Sequence, residues 1–267
     1  MVNELHISVE ISSSKDRFNI ILQNNRIEVS KMNLTVFLTF IIRLRRELDL
    51  FVEKNLGESF NITSVMFDYS ADVYIDNIIV FGNGSFTVKM NYNDVYELAQ
   101  DSYDILNSLY PVSELDYRIL DEVYLEHMLG IDLPFLKSCS FKECFLEKLF
   151  LFSHNEFKWK KIIRSELYLS LRNDIVPKNF SEMNLHSQNE IQRMQSVLNI
   201  MKNNNYGKDG RYIIIYNDTK MVKDGSHRAV SLLYLYGNIK VKVMVLNFEK
   251  NFHSYNYFLA KGGKPEW

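Results

Sequence analysis

The chain has 267 residues, 46% of them hydrophobic and 24% charged, and a formal net charge of −2. This is the composition of a soluble globular protein, long enough for one large or two ordinary domains with a real core. It carries no global basic field of the kind that marks a bulk nucleic-acid binder.

The two cysteines, Cys139 and Cys144, form neither a disulfide framework nor a zinc pattern, and are expected as free thiols in a reducing compartment. Met1 to His6 lacks the basic-then-apolar order of a signal peptide. The most apolar long stretch, Met32 to Leu44, is interrupted at Arg43 and falls short of the roughly 20 residues that a bilayer span needs. A cytoplasmic location is expected, with no transmembrane segment.

In chain order, residues 4–29 read as two or three short strands, from the alternation at His6–Ile11 and the β-rich run at Phe18–Leu22. A helix is predicted over Asn33–Lys54, because Leu34, Phe37, Leu38, Ile41, Leu44, Leu48 and Phe51 recur at three- and four-residue steps. Its charged flank, Arg43 to Glu47, is read as solvated. Strands are expected at Ile62–Tyr69, Val73–Phe81 and Ser85–Met90, the last two joined by a tight turn at Gly82-Asn83-Gly84.

From Asn93 the pattern turns helical. Helices are predicted from Asn93 to Leu109, from Ser113 to about Met128, from the Ser140–Glu143 capping box to Phe152, and from Asn155 through Arg172. The basic, aromatic run Lys158-Trp159-Lys160-Lys161 with Arg164 is read as a helix surface, with a nucleic-acid or lipid phosphate as its alternative partner. Residues 178–189 read as a linker into an amphipathic helix, Glu190–Met201. The fold class expected is α+β: a strand-rich region over 1–91, a helical region over 92–177 and a mixed α/β domain over 178–267.

The last region carries the chemistry. An apolar run, Ile213–Tyr216, meets a turn at Asn217-Asp218, and a second short run leads into Asp224-Gly225-Ser226-His227-Arg228. A helix closed by Gly237 and a strand over Ile239–Asn247 follow. Polar, ionisable residues thus stand where a strand hands over to a helix, the place where exposed amides form an anion site. Gly225 lets backbone approach a phosphate. Ser226 can donate to an oxygen or cap the helix, and Arg228 offers a planar cationic fork. His227 can donate a hydrogen bond or shuttle a proton; Asp224 can hold Mg²⁺ or position a hydroxyl. Each also has a structural role open to it: turn, cap, hydrogen-bonder, or an Asp224–Arg228 pair.

This order of elements resembles the ParB/sulfiredoxin-like superfamily over residues 182–248, about a quarter of the chain. Leu185-His-Ser-Gln-Asn-Glu190 with Arg193 falls where members have the segment and helix before the first strand. Val222 to Val230 looks like the signature, and Tyr236 to Val243 like the closing turn and strand. The resemblance implies that the 225–228 turn holds the phosphates of a nucleotide tri- or diphosphate, with Mg²⁺. Sulfiredoxins carry a cysteine where this chain has Ser226, so sulfinic-acid reduction is not expected. Partition-type ParB proteins carry Gly-Glu-Arg-Arg at this turn and a DNA-binding domain after it; here the motif differs and roughly thirty residues follow the helix, so the CTP-clamp role is not expected.

The Asp-Gly-x-His-Arg form is most similar to the free-serine kinase branch, in which a glutamate ahead of the preceding helix activates the acceptor hydroxyl. That place falls near His186, flanked by Glu182 and Glu190, and the base stays unassigned among the three. The expectation is a nucleotide-dependent enzyme that transfers a phosphoryl group to a hydroxyl of a small molecule or sugar, the sugar raised by likeness to proteins of surface-polysaccharide synthesis. Two alternatives stand beside it: a DNA-associated protein of a nuclease, phage or DNA-modification system, and a nucleotide-sensing regulator without turnover.

Overall fold

The computed structural model describes residues 7–11, 17–22, 25–54, 57–64, 69–83, 86–129, 132–153, 156, 158–173, 194–203, 205–208, 210–217 and 219–249. The chain divides into two compact units, the first Met1–Pro111 with Asp116–Pro134, the second Val112–Leu115 with Phe135–Trp267. Helices and sheets are both present, as the α+β expectation requires. Among the described residues no helix is long and apolar enough to cross a membrane.

The first unit opens with an antiparallel meander, β1 (Ile7–Ile11), β2 (Arg17–Leu22) and β3 (Asn25–Ser30). Helix α1 (Lys31–Lys54) follows directly, and every residue from Leu34 to Ile42 is buried, so this stretch of the helix is enclosed on all sides rather than on one face. A second antiparallel sheet runs in order β4 (Ser59–Thr63), β5 (Ser70–Tyr74), β6 (Ile78–Asn83) and β7 (Phe86–Met90). Phe37 and Phe40 of α1 pack against the Phe81 ring of this sheet at centroid separations of 5.7 and 5.9 Å.

The single strand expected over Val73–Phe81 is instead a hairpin. Tyr74 pairs with Ile78 across a three-residue loop, which Asn77 closes with φ 64°. β6 and β7 do pair as neighbours, but of the turn expected at Gly82-Asn83-Gly84 the first two residues lie in β6, opposite Thr87 and Phe86, and Gly84 lies outside the described residues. Helix α2 (Tyr92–Leu109) starts two residues earlier on a capping box: the Asn91 side chain accepts from Asp94 N–H and the Asp94 carboxylate accepts from Asn91 N–H.

Two further expectations are corrected here. The helix predicted from Ser113 to Met128 is broken into a 3₁₀ turn at Tyr117–Ile119, one helical turn (α3, Glu122–Tyr124) and a π-helical turn at Leu125–Leu129. The flank Arg43–Glu47 is not simply solvated, because α3 and the π-helical turn lie against it. Arg43 Nη1 donates to the fully buried Glu126 carboxylate at 2.6 Å, and Arg45 Nη2 to Glu122 at 3.3 Å. Charges this far from water persist only when paired.

In the second unit the helices predicted at Ser140–Phe152 and from Asn155 are strands for much of their length. β8 (Leu136–Phe145) and the hairpin of β9 (Phe150–Ser153) with β10 (Lys158–Lys161) replace them, and helix α4 (Glu166–Asn173) begins only where Ser165 Oγ accepts from Tyr168 N–H at 3.2 Å. The capping pattern at Ser140 loses to a long-range effect: β8 pairs with β13 (Lys240–Phe248) in unbroken register from Phe145 opposite Lys240 to Ser138 opposite Asn247.

Residues 194–202 form helix α5. Then come β11 (Ile213–Tyr216), β12 (Val222–Asp224), α6 (Ser226–Tyr236) and β13, with the sheet in order β12-β11-β13-β8. β13 returns parallel to β11, while β12 and β8 run antiparallel to their neighbours. One sheet face, carrying Ile213, Ile215, Val241, Val243, Val245 and Cys144, packs against Ala229, Val230, Leu232 and Leu233 of α6 and against Met194 and Met201 of α5. The odd spacing of the two cysteines along β8 sends them to opposite faces of the sheet, so both are free thiols, and burial pushes the Cys139 thiol up to about 11.

Replacing Arg43 by Ala removes the guanidinium facing the buried Glu126 carboxylate. Urea denaturation is expected to show a loss of about 3–5 kcal/mol. Arg46→Ala, on a half-exposed partner of the same network, is expected to lose under about 1 kcal/mol.

Candidate phosphate site

β12 ends at Asp224, and Gly225 then takes φ 84° and ψ 23°, the left-handed conformation that turns the chain into α6. The first bond of the helix runs from Ala229 N–H to Gly225 C=O at 2.9 Å, so the N–H groups of Ser226, His227 and Arg228 precede the helix's own ladder. Gly225 provides no side-chain cap. The helix N-terminus therefore presents partial positive charge at this turn.

Glycine is needed here for two reasons. A left-handed residue with a Cβ is strained, and a Cβ at 225 would stand 3.0 Å from Ile213 Cα and 3.0 Å from Arg228 Nε. The turn is pressed against the start of β11 and against its own arginine. Arg228 Nη2 donates to Asp224 Oδ2 at 2.6 Å and to Tyr212 C=O at 3.1 Å. It ties α6, the end of β12 and the start of β11 together, and its buried Nε finds no hydrogen-bond partner among the described residues. Arg228 is thus first a strut for the turn. Asp224 gives one carboxylate oxygen to that strut.

Tyr206, which no pattern in the sequence marks, helps build the same corner. Its hydroxyl accepts from Ile213 N–H at 3.1 Å and donates to Lys242 C=O at 2.6 Å, closing the open end of the parallel β11–β13 pair. Burial pushes this hydroxyl well above the ordinary tyrosine value. Its ring meets Tyr212 edge-on at 5.9 Å, and a Cβ on Gly207 would stand 2.7 Å from the Tyr212 ring. The signal was a Tyr-Gly pair next to a strand start, which local pattern does not separate from a helix-ending loop.

Five of the residues singled out in the sequence, Asp224, Gly225, Ser226, His227 and Arg228, are therefore brought into one turn, with Ser226, His227 and Arg228 partly exposed. Glu182, His186 and Glu190 lie outside the described residues, as does the linker expected over 178–189. Among the described residues no cluster of three or more His, Cys, Asp or Glu side chains could hold a metal ion. A Mg²⁺ at Asp224 would rest on one protein carboxylate and take its other oxygens from ligand phosphates and water, a mode usual for this ion.

The basic run around Trp159 belongs to β10, not to a helix. Trp159 is buried, Lys160 pairs with both Glu156 and Glu166, and Lys158 pairs with Glu156 at 2.9 Å. Much of its charge is neutralised inside the protein, which weakens it as a phosphate contact.

No protein-family model, curated protein or solved structure matches the chain. The site has to be read from its own geometry.

Gly225→Ala is expected to destabilise the protein by more than the roughly 1–2 kcal/mol of a left-handed residue alone, because the Ile213 backbone cannot move aside for the methyl group. Equilibrium urea denaturation measures this. A change under about 0.5 kcal/mol, the size of an ordinary surface substitution, would mean that the turn is not packed as described.

Proposed function

We propose that the second unit binds the phosphates of a nucleotide at the N-terminus of α6 and transfers a phosphoryl group to a hydroxyl of a small molecule or sugar. The observation that carries the reading is the left-handed Gly225, which turns the chain so that the amides of Ser226, His227 and Arg228 precede the helix ladder at one turn. Ser226 adds a hydroxyl donor and His227 an imidazole. Arg228 is held by Asp224 and Tyr212, so the turn is shaped before a ligand arrives, which lowers the cost of binding.

In this reading the nucleotide's phosphates take the amides, and Asp224 supplies its second oxygen to Mg²⁺ or to the acceptor hydroxyl. The acceptor oxygen bonds to phosphorus as the bond to the leaving phosphate breaks. The hydroxyl proton passes to a base drawn from Glu182, His186 or Glu190. Positioning and charge neutralisation do most of the work in such transfers. The ParB/sulfiredoxin-like resemblance supports the reading by the order strand, Asp-Gly-Ser-His-Arg, helix, Gly, strand. A cytoplasmic setting is in keeping with two buried free thiols.

The test is a thermal-shift titration with ATP, ADP and CTP in Mg²⁺, set beside the variant Ser226→Asp. An acid in the first turn suits the helix dipole and should hold or slightly raise stability, while its charge opposes phosphate. Wild type should be stabilised by about 2.7 kcal/mol at a hundredfold excess of nucleotide over Kd, and Ser226→Asp should show no shift. An unshifted wild type at millimolar nucleotide rejects the site. Binding without any phosphorylated product, followed by ³¹P NMR over a panel of polyols and sugars, would leave a nucleotide sensor rather than a transferase.

A further inference from the structure

Away from the α6 turn, the sheet of the second unit carries a different surface. The face packed on α6 bears Val241 and Val243, so Lys240 and Lys242 stand on the other face. Register places Phe145 opposite Lys240 and Glu143 opposite Lys242, with Phe141 one step further along β8. Tyr212, immediately before β11, falls on the same face as its alternation with Ile213 requires. Farther along, this face is buried at Ile214, Met244 and Leu246. At its near end it is open: Lys240 and Lys242 are exposed and the three rings are half-exposed.

The lysines are held by rings rather than by acids. Lys242 Nζ lies 4.3 Å from the Phe141 centroid and 5.3 Å from that of Tyr212; Lys240 Nζ lies 5.1 Å, and Lys148 Nζ 5.6 Å, from that of Phe145. Among the described residues none of the three forms an ion pair. Phe141 and Tyr212 meet edge-on at 5.1 Å, so their faces point in different directions. Glu143 and Glu147 are the acids nearest in the chain, and they leave the patch with a net positive charge.

We infer that this face, formed by Phe141, Phe145 and Tyr212 with Lys148, Lys240 and Lys242, is a docking surface for single-stranded nucleic acid. Aromatic rings on a sheet face accept unstacked bases, and flexible ammonium groups beside them take the phosphates between. A lysine over a ring is a weak, exposed contact. It gives way when a base covers the ring, and the ammonium is then free to reach a phosphate. A duplex keeps its bases stacked inside and can use only the lysines. The surface belongs to this sheet face and does not depend on the nucleotide reading of α6.

The test uses fluorescence anisotropy with a labelled oligothymidylate of about 12 nucleotides, within the usual span of such platforms, an oligouridylate of equal length and a matched duplex. The protein should bind both single strands more tightly than the duplex. Three phosphate contacts give a log–log salt slope near −2, or roughly 16-fold weaker binding between 50 and 200 mM salt. Lys240→Glu with Lys242→Glu, both at exposed positions, should lower affinity at least tenfold with an unchanged melting temperature. Phe141→Leu, which keeps an apolar side chain but no ring, should lose about tenfold for single strands and leave duplex binding unchanged. No binding at 50 mM salt, equal affinity for duplex, or unaltered binding by the double lysine variant would each overturn the inference.

Discussion

The approach of Gly225 to Ile213 is the contact on which the second unit depends. With a Cβ at 225 only 3.0 Å from Ile213 Cα, even a methyl group would press the end of β12 against the start of β11. That closeness sets where α6 begins and brings Arg228 within reach of both Asp224 and the Tyr212 carbonyl. It also lets α6 lie over the sheet with Ala229, Val230, Leu232 and Leu233 inward. β13 can then return beside β11 in parallel, a pairing that needs a crossover segment of this kind. The mouth of the turn inherits its shape from this packing, so any ligand meets amides that are already placed.

The same residues therefore serve stability and any binding at once, and the two demands divide differently along the turn. Gly225 and Arg228 are committed to packing: one has no space for a side chain, the other spends its Nη2 on a carboxylate and a carbonyl. Ser226 and His227 are half-exposed at the helix start, where α6 provides no cap of its own. Substitution at 225 or 228 thus acts on the fold first. Substitution of Ser226 by Asp bears little on the fold, because the first turn of a helix accepts either with little difference in stability.

How much of this was legible in the chain varies with the range of the forces involved. Local chemistry was legible: α1 by its periodicity, and the β11–β12–α6–β13 order by turn and helix-stop residues. Where a distant partner decides, local pattern misleads. Residues 136–145 carry a helix-start signature at Ser140 and Glu143, yet β13 lies alongside and takes their backbone groups into a ladder. The arginines of α1 look solvated in isolation because their partners, Glu122 and Glu126, lie some eighty residues away. At the site, the Asp-Gly-Ser-His-Arg cluster was visible as a turn. The Arg228–Tyr212 carbonyl contact and the Tyr206 bridge were not, since backbone acceptors leave no trace in side-chain identity.

The sheet also separates two kinds of electrostatics. On the strand hairpin of residues 150–161, basic residues are balanced by Glu156 and Glu166, so the charge that stands out in the sequence is spent internally. On the open face of β8 and β13, no run of basic residues announces itself, because Lys240 and Lys242 alternate with Val241 and Val243. Only the pleat gathers them on one side, and register then brings Phe141 and Phe145 of β8 beside them. Net charge and charge runs are therefore poor guides to this chain's partners. Among the described residues, Lys148, Lys240 and Lys242 form no ion pair and stand beside aromatic rings instead.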